Sequence, residues 1–437
     1  MAYDKSTIER LCGVGVAVSE KQLHAISEWK NSYEAKSGGK LGLASAISCE
    51  IARLVTLEMK SEVFGSERAE VINKIYQSFL KNLRQETEYA AAFGGVVFKP
   101  YYSDGQIHID CTNATEFYPI EFDSNGRICG AVFRSELTLE KKYYTKLEVH
   151  KFSNNTEYIK NMVFESSTVG VIGKRVRASR VPQWAELPED IAITNIERPL
   201  FTYFKMPFAN AVDINSPLGV SVFSKALGLI RDAEEQYERL LWEFESSERA
   251  LYISSEALKV GEDGNPILPK GDKRLYRILQ SDSADFYKDF SPTIRNANMS
   301  EGLDEILRKI EFECSLAYGT ISNVQNVDKT AEEIKSSKQR SYAAVSDIQS
   351  ALNECLKDLV YIIDVWVSLA KLAPDGEYNM STEWNDSILA DRQKEFEEKR
   401  ALVTDGLMQP WEFRMWYFGE DEESAKRMTA TDELVEE

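Results

Sequence analysis

The sequence predicts an α+β protein in which helical segments flank an antiparallel β-rich region. Apolar residues recur every three or four positions through residues 1–90, as they do along one face of a helix. Short alternating or β-branched runs, separated by turn signals, then fill residues 95–198. Helical spacing returns at 221–248 and at 300–318, on either side of a smaller segment of strands and turns.

The helical start ends at Phe93-Gly94-Gly95. Before this point, one helical face carries Ile72, Ile75, Tyr76, Phe79, Leu80 and Leu83. After it, the strand-like runs are VVFKPYY, QIHIDCT, EFYPIEF, ICGAVFR and YYTKLEVHKF. The turn signals Asp104-Gly105 and Ser124-Asn125-Gly126 separate some of these runs, which favours an antiparallel arrangement of the strands.

Two amphipathic helices follow a proline-marked segment. The helix at 221–248 carries its apolar face on Phe223, Ala226, Leu227, Ile230, Ala233, Tyr237, Leu240, Leu241 and Phe244. The helix at 300–318 carries its apolar face on Leu303, Ile306, Leu307, Ile310, Cys314 and Ala317. Between them, residues 251–297 are predicted to form short strands and turns, because prolines and Asp263-Gly264 interrupt the pattern.

A polar loop and a long helix are predicted after Gly319. The loop reads TISNVQNVDK, and Thr330-Ala331-Glu332-Glu333 is a capping-box pattern that starts the helix. No Gly or Pro occurs from Thr330 to Ala373, so the helix can approach ~60 Å at ~1.5 Å per residue. The last segment contains the strand candidate YNMSTEW and helical patterns at 387–403 and 420–428.

Acidic residues dominate the composition, with a formal net charge of −19 at pH 7. Residues 371–437 alone hold 8 Lys and Arg against 18 Asp and Glu, a net charge of −10. Because Lys and Arg supply most of the affinity of proteins for duplex DNA, this excess argues against tight DNA binding. Any contact with DNA is therefore expected to be loose.

The cysteine pattern and the apolar runs predict a protein made in a reducing cytosol, with no membrane partner. The six cysteines form no CxxC pair, and the start MAYDKSTIERLCGVG lacks a signal-peptide pattern. The most apolar long stretch, Leu359 to Ala370, is interrupted by Asp364 and is shorter than the ~18 to 20 uncharged residues that a membrane span needs.

No motif predicts a catalytic residue, a metal site or a cofactor. Ser37-Gly38-Gly39-Lys40-Leu41 does not match a P-loop, and Gly13 with Gly15 lacks the third glycine of a dinucleotide fingerprint. The three histidines lack ligand partners at metal-site spacing, and His108 and His150 are predicted to be structural residues of strands. We therefore expect a protein that is not an enzyme.

Charged clusters leave two interpretations open. The acidic pairs Asp232 with Glu235 and Asp386 with Asp391 are interpreted as solvated helix faces or ion-pair partners rather than as metal-binding or acid–base pairs. The basic cluster Lys174, Arg175, Arg177 and Arg180 is the densest positive run in the chain. It fits phosphate binding, or surface charge and subunit pairing, equally well.

The order of these segments resembles that of the portal proteins of long-tailed bacteriophages over nearly the whole chain. The strings that carry the resemblance are FGGVVFKPYYSDGQIHIDCTNATEFYPIEFDSNGRICGAVF, SPLGVSVFSKALGLIRDAEEQYERLLWEF, LAYGTISNVQNVDKTAEEIKSS and WNDSILADRQKEFEEKRALVTDGLMQPWEFRMWYFGEDEESA. The resemblance implies a portal-like α+β fold that assembles into a ring, commonly a dodecamer. Its regions would be a wing at 1–215, stem helices at 216–250 and 298–318, a small α/β clip at 251–297, a tunnel loop at 319–330, a long wing-to-crown helix at 331–372 and an acidic crown at 373–437.

The same resemblance implies a location and partners. The ring would lie at the portal vertex of the virion capsid, after assembly in the host cytoplasm with scaffolding and major capsid proteins. Its clip would dock the terminase large subunit and later the head–tail adaptor protein. The apolar residues expected at that surface are Leu275, Tyr276, Phe286, Tyr287 and Phe290.

Double-stranded DNA would pass through the central channel. The tunnel-loop residues expected to meet it are Gln325, Asn326, Asp328 and Lys329. Polar side chains can make short, exchangeable contacts with phosphate oxygens, while an acidic wall repels DNA and limits adhesion. Lys335, Lys338 and Arg340 are predicted to be either a thin positive ring in the channel or ordinary helix-surface charge.

Two alternatives have distinct signatures. Another virion structural protein, such as a minor head protein or an adaptor, would share the acidic character but would lack the stem, clip, stem order. A metal-dependent nuclease would use clusters of Asp and Glu, and its magnesium-dependent activity on DNA would be abolished by substitution of Asp386 or Asp391.

Overall fold

The protein is described by a computed structural model. Its described residues are 5–35, 41–247, 250–254, 259–260, 266–267, 276–279, 287–290, 293–323, 331–384, 392–418, 422, 425–427 and 429. Only the backbone is described for the strands between 250 and 290, for 331–337, for 392–395 and for 397. Helices and antiparallel sheets together confirm the predicted α+β class.

Five helices form the N-terminal part: α1 Lys5–Cys12, α2 Glu20–Tyr33, α3 Leu43–Thr56, α4 Glu67–Leu80 and α5 Leu83–Phe93. Ser19 and Ser66 cap α2 and α4, because their side-chain oxygens accept hydrogen bonds from backbone N–H groups of the first turn. The helix α5 ends at Gly94, whose φ of +87° is the left-handed conformation that glycine adopts without strain. The predicted boundary at this glycine is confirmed.

One part of this helical segment was predicted wrongly. Residues Met59–Phe64 form a strand, β1, which pairs in antiparallel register with a second strand at Asn379–Trp384. The side chains of β1 alternate between buried and exposed after its first residues, as a half-buried strand requires. The strand depends on a partner more than 300 residues away along the chain, so helical spacing on either side obscured it.

The β-rich region contains two antiparallel sheets. The first has the order β10-β2-β3, formed by β2 Gly95–Ser103, β3 Gln106–Asn113 and β10 Thr202–Lys205. Asp104 and Gly105 join β2 to β3 with φ values of +52° and +78°, as a two-residue hairpin turn of type I′ requires. The predicted antiparallel arrangement is confirmed here.

The second sheet has the order β4-β5-β6-β7-β8, and β9 also pairs with β7. Its strands are β4 Phe117–Phe122, β5 Ile128–Leu139, β6 Lys142–Ser153, β7 Thr156–Ser166, β8 Lys174–Val176 and β9 Asp190–Thr194. Aromatic rings join the two sheets, since Phe117 of β4 lies 5.6 Å from Tyr203 of β10, measured between ring centroids. Within the second sheet, Phe117 also lies 5.4 Å from Phe133 of β5. Such ring pairs contribute about 0.5–1.5 kcal/mol each beyond the area they bury.

A long helix, α8, runs from Ala331 to Leu369 and confirms the predicted helix after the polar loop. Its 39 residues extend for about 58 Å at ~1.5 Å per residue. The side chains that it buries recur at helical spacing: Val345, Ile348, Leu352, Leu356, Leu359, Ile363 and Val367. They pack in the same core as the first sheet and the N-terminal helices, so α8 ties these parts together.

The end of α8 is held by the N-terminal helices. Arg68 is buried, and its guanidinium donates hydrogen bonds to the Asp364 carboxylate, to the Asp364 carbonyl oxygen at 2.9 Å and to the Ser368 hydroxyl. The chain then forms β16 at Asn379–Trp384, which confirms the predicted strand.

Two helices at the C-terminal side follow β16. The helix α9 spans Arg392–Thr404 and overlaps the predicted pattern at 387–403, and α10 spans Pro410–Phe418. The helix α10 was not predicted, although Pro410 at its start and Glu412, which accepts a hydrogen bond from the Gln409 N–H at 2.8 Å, are ordinary signals of a helix start. No helix in the described part of the chain is long and apolar enough to span a membrane.

Candidate DNA-channel and docking sites

Two helices flank the small strand segment, as predicted, but their bounds differ from the expected ones. The helix α6 spans Leu227–Ser246 rather than 221–248, because residues 221–226 form successive turns closed by Ser224 N–H to Ser221 O at 2.9 Å and Ala226 N–H to Phe223 O at 3.0 Å. The helix α7 spans Asn296–Glu313 rather than 300–318. It stops because Ser315 adopts a φ of +57° and the Leu316 N–H closes on the Glu311 carbonyl at 2.9 Å.

The helices α6 and α7 pack side by side and bury part of their apolar faces against each other and the main core. Their ends next to the strand segment are joined by Glu243, which accepts hydrogen bonds from the Arg295 backbone N–H and from its guanidinium at 2.8 to 3.2 Å. The side-chain hydrogen bonds from Arg295 hold the pKa of Glu243 below its ordinary value. This pair fixes the point at which the chain leaves α6 and enters α7.

Three aromatic side chains of the helix pair remain exposed. Trp242 is 63% exposed, Phe312 is 52% exposed and Phe244 is 42% exposed. Phe244 lies on the face predicted to be apolar, so that face is only partly covered within one chain. Burying an aromatic side chain of this size contributes about 1.5–3 kcal/mol, so these positions favour contact with another molecule.

In the small strand segment, the described residues form the short strands β11 Ala250–Ser254, β12 Lys259–Val260, β13 Pro266–Ile267, β14 Tyr276–Leu279 and β15 Tyr287–Phe290. The central strand β11 pairs in parallel with β14 and in antiparallel with β15. Tyr276 lies opposite Leu251 and Tyr287 lies opposite Ile253, while Phe290 lies opposite Ala250. The structure therefore brings three of the predicted docking residues into one sheet, whereas Leu275 and Phe286 lie outside the described residues.

The root of the polar loop is built on α7. After the turn at Ser315, residues 319–323 fold back along the helix, and the Glu311 carboxylate accepts four hydrogen bonds from them. The donors are the Gly319 N–H at 3.2 Å, the Ile321 N–H at 2.7 Å, the Ser322 N–H at 2.9 Å and the Ser322 hydroxyl at 2.8 Å. The Asp304 carboxylate accepts a fifth from the Asn323 N–H at 2.6 Å.

These two carboxylates are buried, with 0% exposure for Glu311 and 7% for Asp304. A buried carboxylate is costly unless donors surround it, and hydrogen bonds to a charged acceptor are about twice as strong as neutral ones. Asp304 also forms an ion pair with Arg308 at 2.7 Å. The path of the chain into the loop is thus fixed from α7.

The predicted positive residues at the start of α8 lie in different surroundings. The Arg340 guanidinium lies over the Phe312 ring at 4.5 Å and near the Tyr318 ring at 5.4 Å. This cation–π contact joins α8 to the end of α7. Lys338 is exposed, and for Lys335 only the backbone is described. The predicted loop residues Gln325, Asn326, Asp328 and Lys329 lie outside the described residues.

The basic cluster Lys174 to Arg180 is partly neutralised within the chain. Arg175 pairs with Glu189, and Arg180 pairs with Glu165 at 2.8 Å. Hydrogen bonds from Lys142 and then Arg180 lower the pKa of Glu165 to about 2. Arg177 is exposed on the same surface, so both earlier interpretations of the cluster remain open.

His150 confirms the expectation of a structural histidine. It is buried, and its Nδ1 and Nε2 atoms lie 2.8 Å and 2.7 Å from oxygens of Glu157 and Glu148. Lys99 and Lys146 also bind Glu148, each at 2.8 Å. His108, by contrast, is an exposed residue of its strand and lies beside Tyr101. Within the described part of the chain, no three His, Cys, Asp or Glu residues are grouped to hold a metal ion.

Comparison with known families decides the identity. The family model described as "Phage portal protein, SPP1 Gp6-like" matches residues 19–434, nearly the whole chain. The chain belongs to this family of phage portal proteins. No curated protein matches it.

Membership has direct consequences for the alternatives. The portal family is structural and non-enzymatic, so the nuclease hypothesis is not supported. A minor head protein or an adaptor is a different class of virion protein, so that alternative is not supported either. Portal proteins belong to the virion at the capsid vertex and serve genome packaging. The virion class and the family that the sequence suggested are therefore confirmed for this portal protein.

Sequence reasoning missed the residues that shape the loop root. Asp304 and Glu311 are seven residues apart on α7 and lie beside the predicted apolar face of Leu303, Leu307 and Ile310. Acidic residues repeated at helical spacing along such a face were the available signal. Their partners could not be predicted, because they are backbone N–H groups that follow an unpredicted early end of the helix.

Proposed function

We propose that this portal protein assembles into a closed ring, commonly a dodecamer in this class, and that double-stranded DNA passes through its central channel. The observation that carries the proposal is the helix pair α6 and α7, which frames the small strand segment and carries three exposed aromatic side chains. An isolated chain leaves that surface in water, whereas a second copy would cover it. The division into wing, stem, clip, tunnel loop and crown belongs to the same proposal.

Residues 319–330 would form the tunnel loop that meets DNA, with Gln325, Asn326, Asp328 and Lys329 nearest to the phosphates. Its neighbour Lys338 would add positive charge to an otherwise acidic molecule of net charge −19. Weak polar contacts in an acidic channel would let the duplex slide, because tight binding needs many Lys and Arg contacts with phosphate.

Residues 251–297, which include the small strand segment, would be the clip that docks the terminase large subunit during packaging and the head–tail adaptor protein afterwards. Support comes from its small mixed sheet, which places Tyr276, Tyr287 and Phe290 on the two strands that flank β11. Aromatic residues at such a surface suit protein docking, because they are enriched at the centres of interfaces. Scaffolding and major capsid proteins would be further partners of the ring during assembly.

A packaging assay with ring-containing proheads tests the DNA role of the loop. Gln325, Asn326 and Lys329 are replaced together by alanine, and the matched control replaces Gln106, Asn125 and Lys160, which are the same residue types at exposed positions of the β-rich region. We expect the loop variant to assemble normally but to package or retain less DNA per ring, while the control packages at the wild-type level. A loop variant that assembles poorly, with packaging per intact ring unchanged, would show that the segment is structural.

A further inference from the structure

We propose that Glu311 and Asp304 are positioning residues that fix the direction in which the chain leaves the stem helix α7 toward the tunnel loop. This inference rests on the proposed function of the loop and adds to it the residues that set the loop's position. Neither side chain needs to touch DNA for this role.

The number of hydrogen bonds supports the role. The Glu311 carboxylate accepts four hydrogen bonds, from the backbone N–H groups of Gly319, Ile321 and Ser322 and from the Ser322 hydroxyl. The Asp304 carboxylate accepts one more from the N–H of the next residue, Asn323. A segment without regular secondary structure usually satisfies its backbone N–H groups with water or with itself. Here five bonds run to two side chains of one helix, so residues 319–323 must follow that helix when it moves.

The other side of the loop is joined to the same end of α7. Arg340 of α8 lies against Phe312 and Tyr318, one on the last turn of α7 and one just before the segment held by Glu311. Its Nε and Nη2 atoms are buried, with no hydrogen-bond partner among the described residues, so the aromatic rings are its principal neighbours there. Both chain segments that lead to residues 324–330 are therefore attached to the C-terminal end of α7.

The turn between α7 and residues 319–323 adds a buried apolar residue. Leu316 is fully buried in the main core, and its N–H closes on the Glu311 carbonyl at 2.9 Å. Glu311 thus contributes its backbone to the end of the helix and its side chain to the root of the loop. A change at this one residue is expected to release the root while Leu316 still keeps the helix end in the core.

Two substitutions of Glu311 remove its side-chain hydrogen bonds to different extents. Glu311→Ala removes all four acceptor contacts, whereas Glu311→Gln keeps one carbonyl oxygen that can still serve the N–H groups of Ile321 and Ser322. The control Glu313→Ala removes the same charge from an exposed position two residues further along α7. A role in positioning predicts a loss in Glu311→Ala, partial rescue in Glu311→Gln and no effect in the control.

The first measurement is hydrogen–deuterium exchange of assembled rings, followed by mass spectrometry over residues 315–323. In Glu311→Ala we expect the amides of Gly319, Ile321 and Ser322 to exchange at least about tenfold faster, since each lost hydrogen bond to a charged group is worth a factor of roughly ten or more. Peptides from α6 and α8 should keep their wild-type exchange. Unchanged exchange at 315–323 would overturn the proposal.

The second measurement is the amount of DNA packaged per ring. Glu311→Ala rings should package less than wild type, with Glu311→Gln between them, whereas faster exchange with wild-type packaging would also overturn the proposal. If Glu311→Ala yields no rings, Ser322→Ala replaces it and the same two criteria apply. That variant removes only the hydroxyl, which donates to Glu311 at 2.8 Å and accepts from the Gly319 N–H at 3.3 Å, and it leaves the carboxylate in place. If the loop variant with three alanines also packages normally, the proposed function of the loop fails; if only Glu311→Ala packages normally, the positioning role alone fails.

Discussion

Replacing His150 tests the buried charged cluster that joins strands β6 and β7 of the second sheet. His150 is 2% exposed and lies between Glu148 and Glu157, and Glu157 is itself fully buried. Gln offers one amide nitrogen in place of two ring nitrogens on opposite sides of the imidazole, so it cannot donate to both carboxylates. Glu148 keeps Lys99 and Lys146, and the loss therefore falls on the buried Glu157 carboxylate. Removal of one member of a buried ion pair costs about 3–5 kcal/mol, and we expect the free energy of unfolding to fall by roughly 3 kcal/mol.

The raised pKa of His150 predicts the direction in which the stability changes with pH. Burial alone would lower the pKa of His150, but its hydrogen bonds with Glu148 and Glu157 outweigh burial and raise it above the ordinary value of 6.5. The imidazolium therefore contributes its full stability below about pH 6.5, and this contribution is lost as the pH rises through the raised pKa. Burial would raise the pKa of Glu148, but Lys99 and Lys146 hold it well below 4.5, so its contribution is lost only as the pH falls through that lowered value.

Urea unfolding of unassembled protein, measured between about pH 6 and about pH 9, provides the assay. Wild type should lose stability across this range, whereas His150→Gln should start lower and lose less. The control His108→Gln changes an exposed histidine and should keep the wild-type slope. The reasoning is refuted if His150→Gln unfolds at the wild-type urea concentration, or if it retains the full wild-type loss between these pH values.

Two further predictions concern assembly and docking. Trp242→Ser should reduce ring formation, measured by light scattering, and should change the unfolding free energy of the single chain by less than about 0.5 kcal/mol, because the side chain is 63% exposed. The control is Tyr158→Ser, at a residue of β7 that is 52% exposed. Equal ring yields from the two variants would contradict a contact between subunits at the stem. Replacing residues 250–292 by a short Gly-Ser linker should preserve the fold, because Glu243 and Arg295 still join the flanking helices. The same replacement should abolish binding of the terminase large subunit in a pull-down. Retained binding would place the docking surface elsewhere.

Local patterns predicted the parts of the fold that depend on neighbours in the sequence. The left-handed Gly94 ends α5 as expected, and the stretch without Gly or Pro from Thr330 to Ala373 contains α8, where Val345, Leu352 and Leu359 are buried. The strand β1 was missed because the strand it pairs with, β16, lies near the opposite end of the chain. Non-local pairing of this kind leaves little trace in local spacing.

The candidate site was predicted by the order of segments more than by individual residues. Arg340 was expected to be either channel charge or helix-surface charge, and the structure places it against Phe312 and Tyr318, a contact that sequence spacing could not indicate. Glu311 was overlooked because a single acidic residue on a charged helix is usually solvated. Its function at the loop root depends on where α7 ends, and helix ends are the least predictable feature of a sequence.

Single-particle electron microscopy of the purified full-length protein tests the central claim most directly. The account predicts closed rings with a central channel, in which α6 and α7 line the stem, Trp242 is covered by a neighbouring subunit, and residues 319–323 face the channel. Monomers at every concentration, open filaments, or closed rings in which residues 319–323 face away from the channel would contradict it.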